Sequence, residues 1–512
     1  MAKIESSFLL MLAVVLICSG LARSQTATPQ TDGSTTDQSA SESLKTLDRL
    51  VEQNSQLEKQ NQELMDQIES LRRVLAKQTG AEVETSKNSE EPKATAKLTS
   101  SEEGPAKWGS YTPNFGYKVV NTDVGDMSIS IYSYARYLNQ LGLDPTYRDA
   151  FGNVKNVQQR QDIQLNKLQI KFLGWILNPK FRYFLYAWSS NASQGLGAQV
   201  VLAGNLNYAF NKYFSVGAGI RSLPGTRSVE GNFPFWLGVD TRLIGDEFFR
   251  PSYTSGVWGW GQITNKLNYI AMVGNNLSTL GVSAAQLNNG LNTVSTALIW
   301  TPSKADFGLG FGDFEDHKQL ASRLAAHYTR SDEDRQEQPN SDQFENTQIR
   351  LEDGTVIFTP NLLGPGISVN DLTYKMAAFD GGLKYHGFSL EGEYFLRWLD
   401  HFHGPGTAGL PSIFSHGFQL QASAMVLPKT LQAYLGGSTL TGNAAALDAY
   451  RAKYGNPWDF RAGLNYFPYH NKVIRWNNEF LYLYKSPVGY TAVPFALGGT
   501  GPVFGSTLEL AF

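Results

Sequence analysis

The segment Pro502 to Phe512, PVFGSTLELAF, constrains the fold more than any other stretch. In an extended chain, successive side chains point to opposite faces. Phe504, Ser506, Leu508, Leu510 and Phe512 therefore share one face, and Gly505, Thr507, Glu509 and Ala511 share the other. A strand with so apolar a face is an aggregation hazard in water unless its edge is paired. Two architectures accommodate it: an edge strand of a soluble β-sandwich, or the closing strand of a barrel whose outer face meets lipid.

Residues 1–24 read as a secretory signal peptide. Lys3 supplies the charged start, Phe8 to Leu16 is continuously apolar, and Ala22-Arg23-Ser24 is a small-residue cleavage site. A permanent membrane helix needs about 20 apolar residues, and Ser19, Gly20 and Arg23 interrupt this run too early. The single cysteine, Cys18, lies inside the signal. The exported chain is thus expected to carry neither disulfides nor thiolate metal sites. No later stretch is long and apolar enough to cross a membrane as a helix.

Residues 25–43 are rich in Thr, Ser, Gln and Asp and are expected to be disordered. A heptad pattern then predicts a coiled coil over 44–77. Leu50, Leu57, Leu64 and Leu71 occupy d; Leu47, Asn54, Asn61, Ile68 and Leu75 occupy a. Leucine at d with asparagine at a leans toward two strands, but four heptads are too short to overrule a large interface elsewhere in the chain, and a trimer is the expectation. Residues 78–107 form a charged, Ser/Thr/Glu-rich linker without apolar periodicity, expected to be disordered. The first 106 residues hold 11 of the 43 basic and 16 of the 46 acidic side chains. The remainder, with 32 and 30, is nearly neutral, so net charge predicts no ion preference.

Residues 108–512 are expected to form an all-β transmembrane barrel. At about 25 residues for a strand and its connection, the region accommodates about 16 antiparallel strands. Short turns at Asn211-Lys212-Tyr213, Thr264-Asn265-Lys266, Tyr385-His386-Gly387, Pro428-Lys429-Thr430 and Tyr469-His470-Asn471-Lys472 alternate with long loops. A sandwich has no reason to obey that alternation, whereas outer-membrane barrels do. Lipid-facing sets follow from the period of two, such as Phe418, Leu420, Ala422, Ala424 and Val426. The opposite parity faces the lumen and contains Arg136, Lys167, Lys171, Arg221, Arg323, His327, Glu391, Glu393, Arg397, Arg461, Arg475 and Glu479. A charge on the lipid face near the midplane costs roughly 2–4 kcal/mol, which forces these inward.

The segments Ile129–Gln140 (ISIYSYARYLNQ), Phe307–His317 (FGLGFGDFEDH), Phe388–Leu399 (FSLEGEYFLRWL) and Gly417–Thr430 (GFQLQASAMVLPKT) resemble the phosphate-selective porin O/P family. A coiled coil before such a barrel is similar to dicarboxylate-related porins of the same broad group. The resemblance runs from about Trp108 to Phe512. It implies a homotrimer of 16-stranded barrels with loops folded inward, and in founding members arginine and lysine ladders that pass phosphate.

The third long loop, Ser222 to Ser255, is the candidate constriction, because general porins fold their third loop into the lumen. It carries Arg227, Glu230, Asp240, Arg242, Asp246, Glu247 and Arg250 among Phe233, Phe235, Trp236, Phe248 and Phe249. The expected pore lining is Arg136, Lys167, Lys171, Arg221, Arg242, Arg250, Arg323, Arg397, Arg461 and Arg475. Guanidiniums present paired donors to phosphate and carboxylate, and rings of basic side chains favour anions. A packed loop with self-neutralising charges competes with that reading, and inward Glu391, Glu393 and Glu479 count against simple anion preference. His401 and His403, and the Asp332-Glu333-Asp334 run in the fifth loop, read as exposed loop residues rather than metal ligands. Gly308, Gly310 and Gly312 lack the strand-to-helix context of a phosphate-binding loop.

The expectation is therefore an outer-membrane channel for passive diffusion of small hydrophilic solutes, anionic ones such as phosphate or carboxylates foremost. No catalytic residue, cofactor or metal is expected. The partners are outer-membrane lipid, lipopolysaccharide and two further copies of the chain, with no nucleic acid. A rival reading makes the barrel an anchor whose periplasmic coiled coil, about 40 Å long at 1.5 Å per residue, reaches toward the cell wall.

Overall fold

The computed structural model describes residues 110–112, 115–189, 200–230, 233–287, 290–338, 348–442, 456–490 and 492–512. The signal peptide, heptads and linker expected over 1–107 lie outside the described residues.

Two short strands, β1 (Tyr111–Thr112) and β2 (Gly116–Thr122), precede the barrel. Its wall begins with β3 (Gly125–Asn139), and a small hairpin, β4 (Thr146–Arg148) and β5 (Val154–Asn156), decorates the first long loop. The wall continues with β6 (Gln161–Ile176), β7 (Asn178–Ser189), β8 (Val200–Asn211), β9 (Phe214–Ser222), β10 (Tyr253–Thr264), β11 (Leu267–Gly274) and β12 (Thr293–Trp300). Then come β13 (Ala321–Asp334), β14 (Asp371–Tyr385), β15 (Phe388–His403), β16 (Ile413–Leu427), β17 (Leu431–Gly442), β18 (Trp458–Tyr466), β19 (Ile474–Tyr484) and β20 (Gly501–Ala511). Each wall strand pairs antiparallel with its neighbours in sequence, and β20 pairs with β3 from Phe504↔Asn139 to Ala511↔Tyr132. The result is a closed antiparallel barrel of sixteen strands, the number expected.

Closure involves two segments of chain. Where β20 stops, β2 takes over the same edge of β3 in the same direction, with Tyr117 opposite Ile129. Phe512 bridges the join: its N–H donates to the Ile131 carbonyl at 2.9 Å, its carbonyl accepts from Ile131 N at 2.7 Å, and its ring lies 5.7 Å from that of Tyr117.

The period of two resolves the wall into two chemically distinct faces. Leu202, Leu206, Phe210, Phe418, Leu420, Phe480 and Leu508 are exposed on the outside, whereas Arg136, Glu393, Arg461 and Arg475 are buried within. An exposed apolar exterior around a polar interior inverts the arrangement of a soluble protein and is that of a lipid-spanning barrel.

Short connections occur at one end as expected, for example Lys212-Tyr213, His386-Gly387 and Pro428-Lys429-Thr430. One connection at that end breaks the pattern. Residues 301–320, between β12 and β13, fold into the lumen and bury Phe307, Phe311 and Phe314. Two further expectations are corrected: Asp332, Glu333 and Asp334 end strand β13 rather than lying in a loop, and His401 and His403 end β15. In each case the sheet ladder runs several residues past the point where the sequence turns polar, because β13, β14 and β15 are paired to their tips.

Candidate functional site

The connection from β9 to β10 does not cover the barrel from outside. From Leu223 to Ser252 it descends into the lumen, and its described residues are almost all buried. Apolar side chains give it a core, while backbone carbonyls and charged groups face a polar wall that can satisfy both.

Its entry is fixed on strands β13 to β15. The Pro224 carbonyl lies 2.9 Å from His327 Nδ1, and the Arg227 N–H donates to Glu393 Oε1 at 2.9 Å. Arg227 Nε donates to Glu391 Oε2 at 3.0 Å, its Nη1 donates to the Leu309 carbonyl at 3.0 Å, and its guanidinium lies 4.7 Å from the Phe311 ring centre. Glu230 pairs with Arg323 at 2.5 Å.

The tip crosses to the opposite wall. Trp236 O accepts from Arg475 Nη1 at 2.7 Å, Leu237 O from Asn465 Nδ2 at 2.9 Å, and Val239 O from Arg136 Nη2 at 2.6 Å. Asp240 accepts from Lys167 Nζ at 2.7 Å and from Tyr134 Oη at 2.8 Å. A bulge in β6 makes the Lys167 contact possible. Lys167 has φ 54°, and the β3–β6 register shifts there, so that Asn166 and Lys167 both turn inward.

The return is a short helix, Ile244–Phe249. Its first N–H groups are orphans by geometry, and the wall supplies acceptors: Asp459 Oδ2 for Ile244 N at 3.3 Å and Ser438 Oγ for Gly245 N at 2.8 Å. Phe249 stacks on Phe395 at 5.1 Å, and a Cβ on the wall residue Gly417 would lie 2.5 Å from the Phe249 ring. Burial raises the Asp246 carboxyl above its ordinary range, against the pull of Arg242 and Arg250.

The 301–320 segment meets this loop from the other end. Phe311 N donates to Phe235 O at 2.9 Å, and Lys384 Nζ donates to the carbonyls of Phe307 at 2.9 Å and Gly310 at 2.5 Å. Lys472 caps the contact, 5.1 Å from the Phe235 ring and 5.0 Å from that of Phe314. Burial lowers its ammonium pKa from the ordinary value. The segment is held in shape by Asp313, whose carboxylate bonds His317 and accepts from Gly387 N at 2.8 Å.

The ten basic residues expected to line the pore all lie inside the barrel, in two very different settings. Eight are engaged. Besides Arg136, Lys167, Arg323 and Arg475, these are Arg242 and Arg250, both on Glu247 at 2.9 and 2.8 Å. Arg397 donates to Arg350 O at 2.9 Å, and Arg461 donates to Thr241 O at 3.1 Å. Arg475 is additionally clamped by both oxygens of Glu509. Lys171 and Arg221 differ. Both are half-buried, with no carboxylate within 4.0 Å among the described residues; Lys171 lies 5.5 Å from the Phe233 ring and Arg221 5.5 Å from the Trp258 ring. They stand on β6 and β9, where the inward residues Ala203, Asn205, Asn207, Trp260 and Gln262 of the neighbouring strands are also half-buried. The loop therefore fills the lumen against β13 to β19 and β3, leaving the β6 to β10 side as the more open wall.

No family model matches the chain, and no curated protein matches it. Among solved structures it is similar to OmpT, an outer membrane protein of Vibrio cholerae, in its trimer form (12% identity, 76% of this chain and 100% of that one, TM-score 0.46). It is also similar to an anion-selective porin from Comamonas acidovorans (10%, 76% and 100%, 0.45). A third is the outer membrane channel DcaP of Acinetobacter baumannii (9%, 77% and 99%, 0.47). The barrel assignment rests on the strand pairing itself.

Sequence reasoning missed Lys384, Asp313 and the inward course of 301–320. Phe307, Phe311 and Phe314, at intervals of four and three in a Gly-rich connection, were the available signal.

Proposed function

We propose that this protein is an outer-membrane porin: a water-filled channel for passive diffusion of small hydrophilic solutes, with a preference for anions. The observation that carries the reading is the asymmetry of the lumen. The inward loop and its wall neutralise most of their own charges, whereas Lys171 and Arg221 face the more open side without carboxylate partners among the described residues. Unneutralised basic side chains beside a narrowed aqueous path favour anions and present donors to phosphate or carboxylate. No chemical step is needed: solutes follow their gradient, and selectivity weakens as salt screens the field.

The apolar exterior suits a barrel held in the outer membrane, where the chain acts as a homotrimer with its N-terminal heptads in the periplasm. The test is the reversal potential of the purified protein in a planar bilayer under a potassium chloride gradient. Chloride preference that falls in K171A and R221A, and falls furthest in the double variant, supports the reading. Cation preference, or chloride preference untouched by both substitutions, overturns the anion assignment. A correctly folded barrel without conductance overturns the channel.

A further inference from the structure

Three neighbouring wall strands bring together a set of ligand atoms that the diffusion path does not use. Asp380 on β14 stands opposite Glu393 on β15, and Ala378, two residues before Asp380, stands opposite His327 on β13. One ligand atom each from His327, Asp380 and Glu393 lies within 4.8 Å of the other two, and all three residues are buried.

The histidine is presented in a particular way. Its Nδ1 lies 2.9 Å from the Pro224 carbonyl, which accepts only from an N–H and so assigns that nitrogen as the donor. Nε2 then faces Asp380 Oδ2 at 2.8 Å. A ring whose far nitrogen is tied to a backbone carbonyl, with the near one aimed at carboxylates, has the support of a metal-binding imidazole. Asp380 is oriented in turn by Arg323, whose Nε donates to Oδ1 at 2.8 Å.

Charge and unmet polar valence agree. Four carboxylates (Glu230, Asp380, Glu391, Glu393) surround this point against two guanidiniums, Arg227 and Arg323. The carboxylates outnumber the guanidiniums that pair with them, although Lys384 and Arg221 also act on Glu391 and Glu230. Independently, Glu391 Oε1 and Gln419 Oε1 have no hydrogen-bond partner among the described residues. Those residues are only 6% and 2% exposed, and they line a cavity beside His327 together with Asp380, Glu393 and Arg227. Unpartnered buried acceptors are the complement of a cation.

We propose that His327, Asp380 and Glu393 bind one divalent cation of the zinc class. One imidazole nitrogen with two carboxylate oxygens, completed by water, suits such an ion, whereas calcium and magnesium prefer oxygen alone. Binding displaces the proton that Nε2 otherwise shares with Asp380. The ion sits directly beneath Pro224 to Arg227, so it clamps the start of the inward loop to the wall. This site is independent of whether the channel prefers anions.

The experiment uses the full chain, purified without a histidine tag, stripped with a chelator and titrated with zinc by equilibrium dialysis with metal analysis. The expected result is one zinc per chain and a rise in the thermal midpoint. H327Q and E393Q each lose at least tenfold in affinity while keeping the heat-dependent gel shift of a folded barrel, and the H401A/H403A double variant binds as the parent does. The proposal is overturned if the parent retains no zinc, if calcium competes equally, or if H401A/H403A removes the stoichiometric ion. Equal binding by folded H327Q and E393Q also overturns it. Should those variants not fold, cobalt added to the parent decides: a ligand-field spectrum without imidazole coordination refutes the site.

Discussion

Arg227 joins three parts of the lumen, and replacing it with alanine tests whether they hold one another. The side chain is fully buried, pairs with Glu391 at 3.0 Å, donates to the carbonyls of Leu309 at 3.0 Å and Gly310 at 3.4 Å, and packs on Phe311. Arg227→Ala leaves Glu391 with neither oxygen paired and two carbonyls without this donor. Breaking a buried ion pair from one side costs about 3–5 kcal/mol. At about 1.4 kcal/mol per tenfold, the population with the loop entry or the 301–320 segment detached rises roughly a hundred- to three-thousandfold. Phe311 N and Arg227 make the hydrogen bonds that join this segment to the loop among the described residues, so detachment widens the path. Single-channel recording should show a larger mean conductance with frequent discrete steps, and R227K should recover charge but not the two-carbonyl fork. Conductance, noise and thermal midpoint all indistinguishable from the parent would refute the idea that Arg227 fastens the inward loop to the 301–320 segment.

Gly417→Leu should force Phe249 off the wall, costing about 1–3 kcal/mol of overpacking, read as a lower thermal midpoint with increased conductance. On the lipid face, Leu420→Arg should cost roughly 2–4 kcal/mol, measured by denaturant unfolding in vesicles, whereas Leu420→Ile should cost far less. The Asp313–His317 pair predicts a pH signature. The hydrogen bond from Asp313 raises His317; burial pushes Asp313 up, but its bonds from His317 and Gly387 outweigh burial and lower it. His317 therefore contributes fully below its unfolded value of about 6.5 and loses that contribution as pH rises through its raised folded value. Asp313 contributes above about 3.9 and loses it as pH falls through its lowered one. The thermal destabilisation by H317Q should be largest between about pH 4 and 6.5 and shrink on either side; a difference independent of pH would contradict the pairing.

The wall was legible because a strand has only two faces. Phe418, Leu420 and Ala424 on one parity and Gln419, Gln421 and Ser423 on the other leave no third arrangement in lipid. The lumen was less legible, because its partners come from distant parts of the chain. Nothing near Arg475 announces that Trp236 O will accept its hydrogen bond, and nothing near Arg221 announces that no carboxylate among the described residues comes within 4.0 Å of it. The Lys167 bulge puts a non-glycine residue at positive φ, a choice set by Asp240 across the lumen rather than by local preference. Residues 301–320 have the length of an extra hairpin, and only their burial distinguishes a lumenal segment from two more strands.

The tip of the inward loop also bears on how the cylinder closes. The seam joins β3 to β20, and Ser130 meets Phe512 across a sequence separation of 382 residues. Bringing ends that far apart together carries a chain-entropy cost of about 5 kcal/mol by the logarithmic rule. Trp236 O is held by Arg475 on β19, and three residues later Val239 O is held by Arg136 on β3, so the tip straddles β20 from the inside. A loop already seated on β19 carries a waiting acceptor for β3 across the gap. In that order of assembly the inward loop is a template, shortening the search by which the two edges of the sheet find each other.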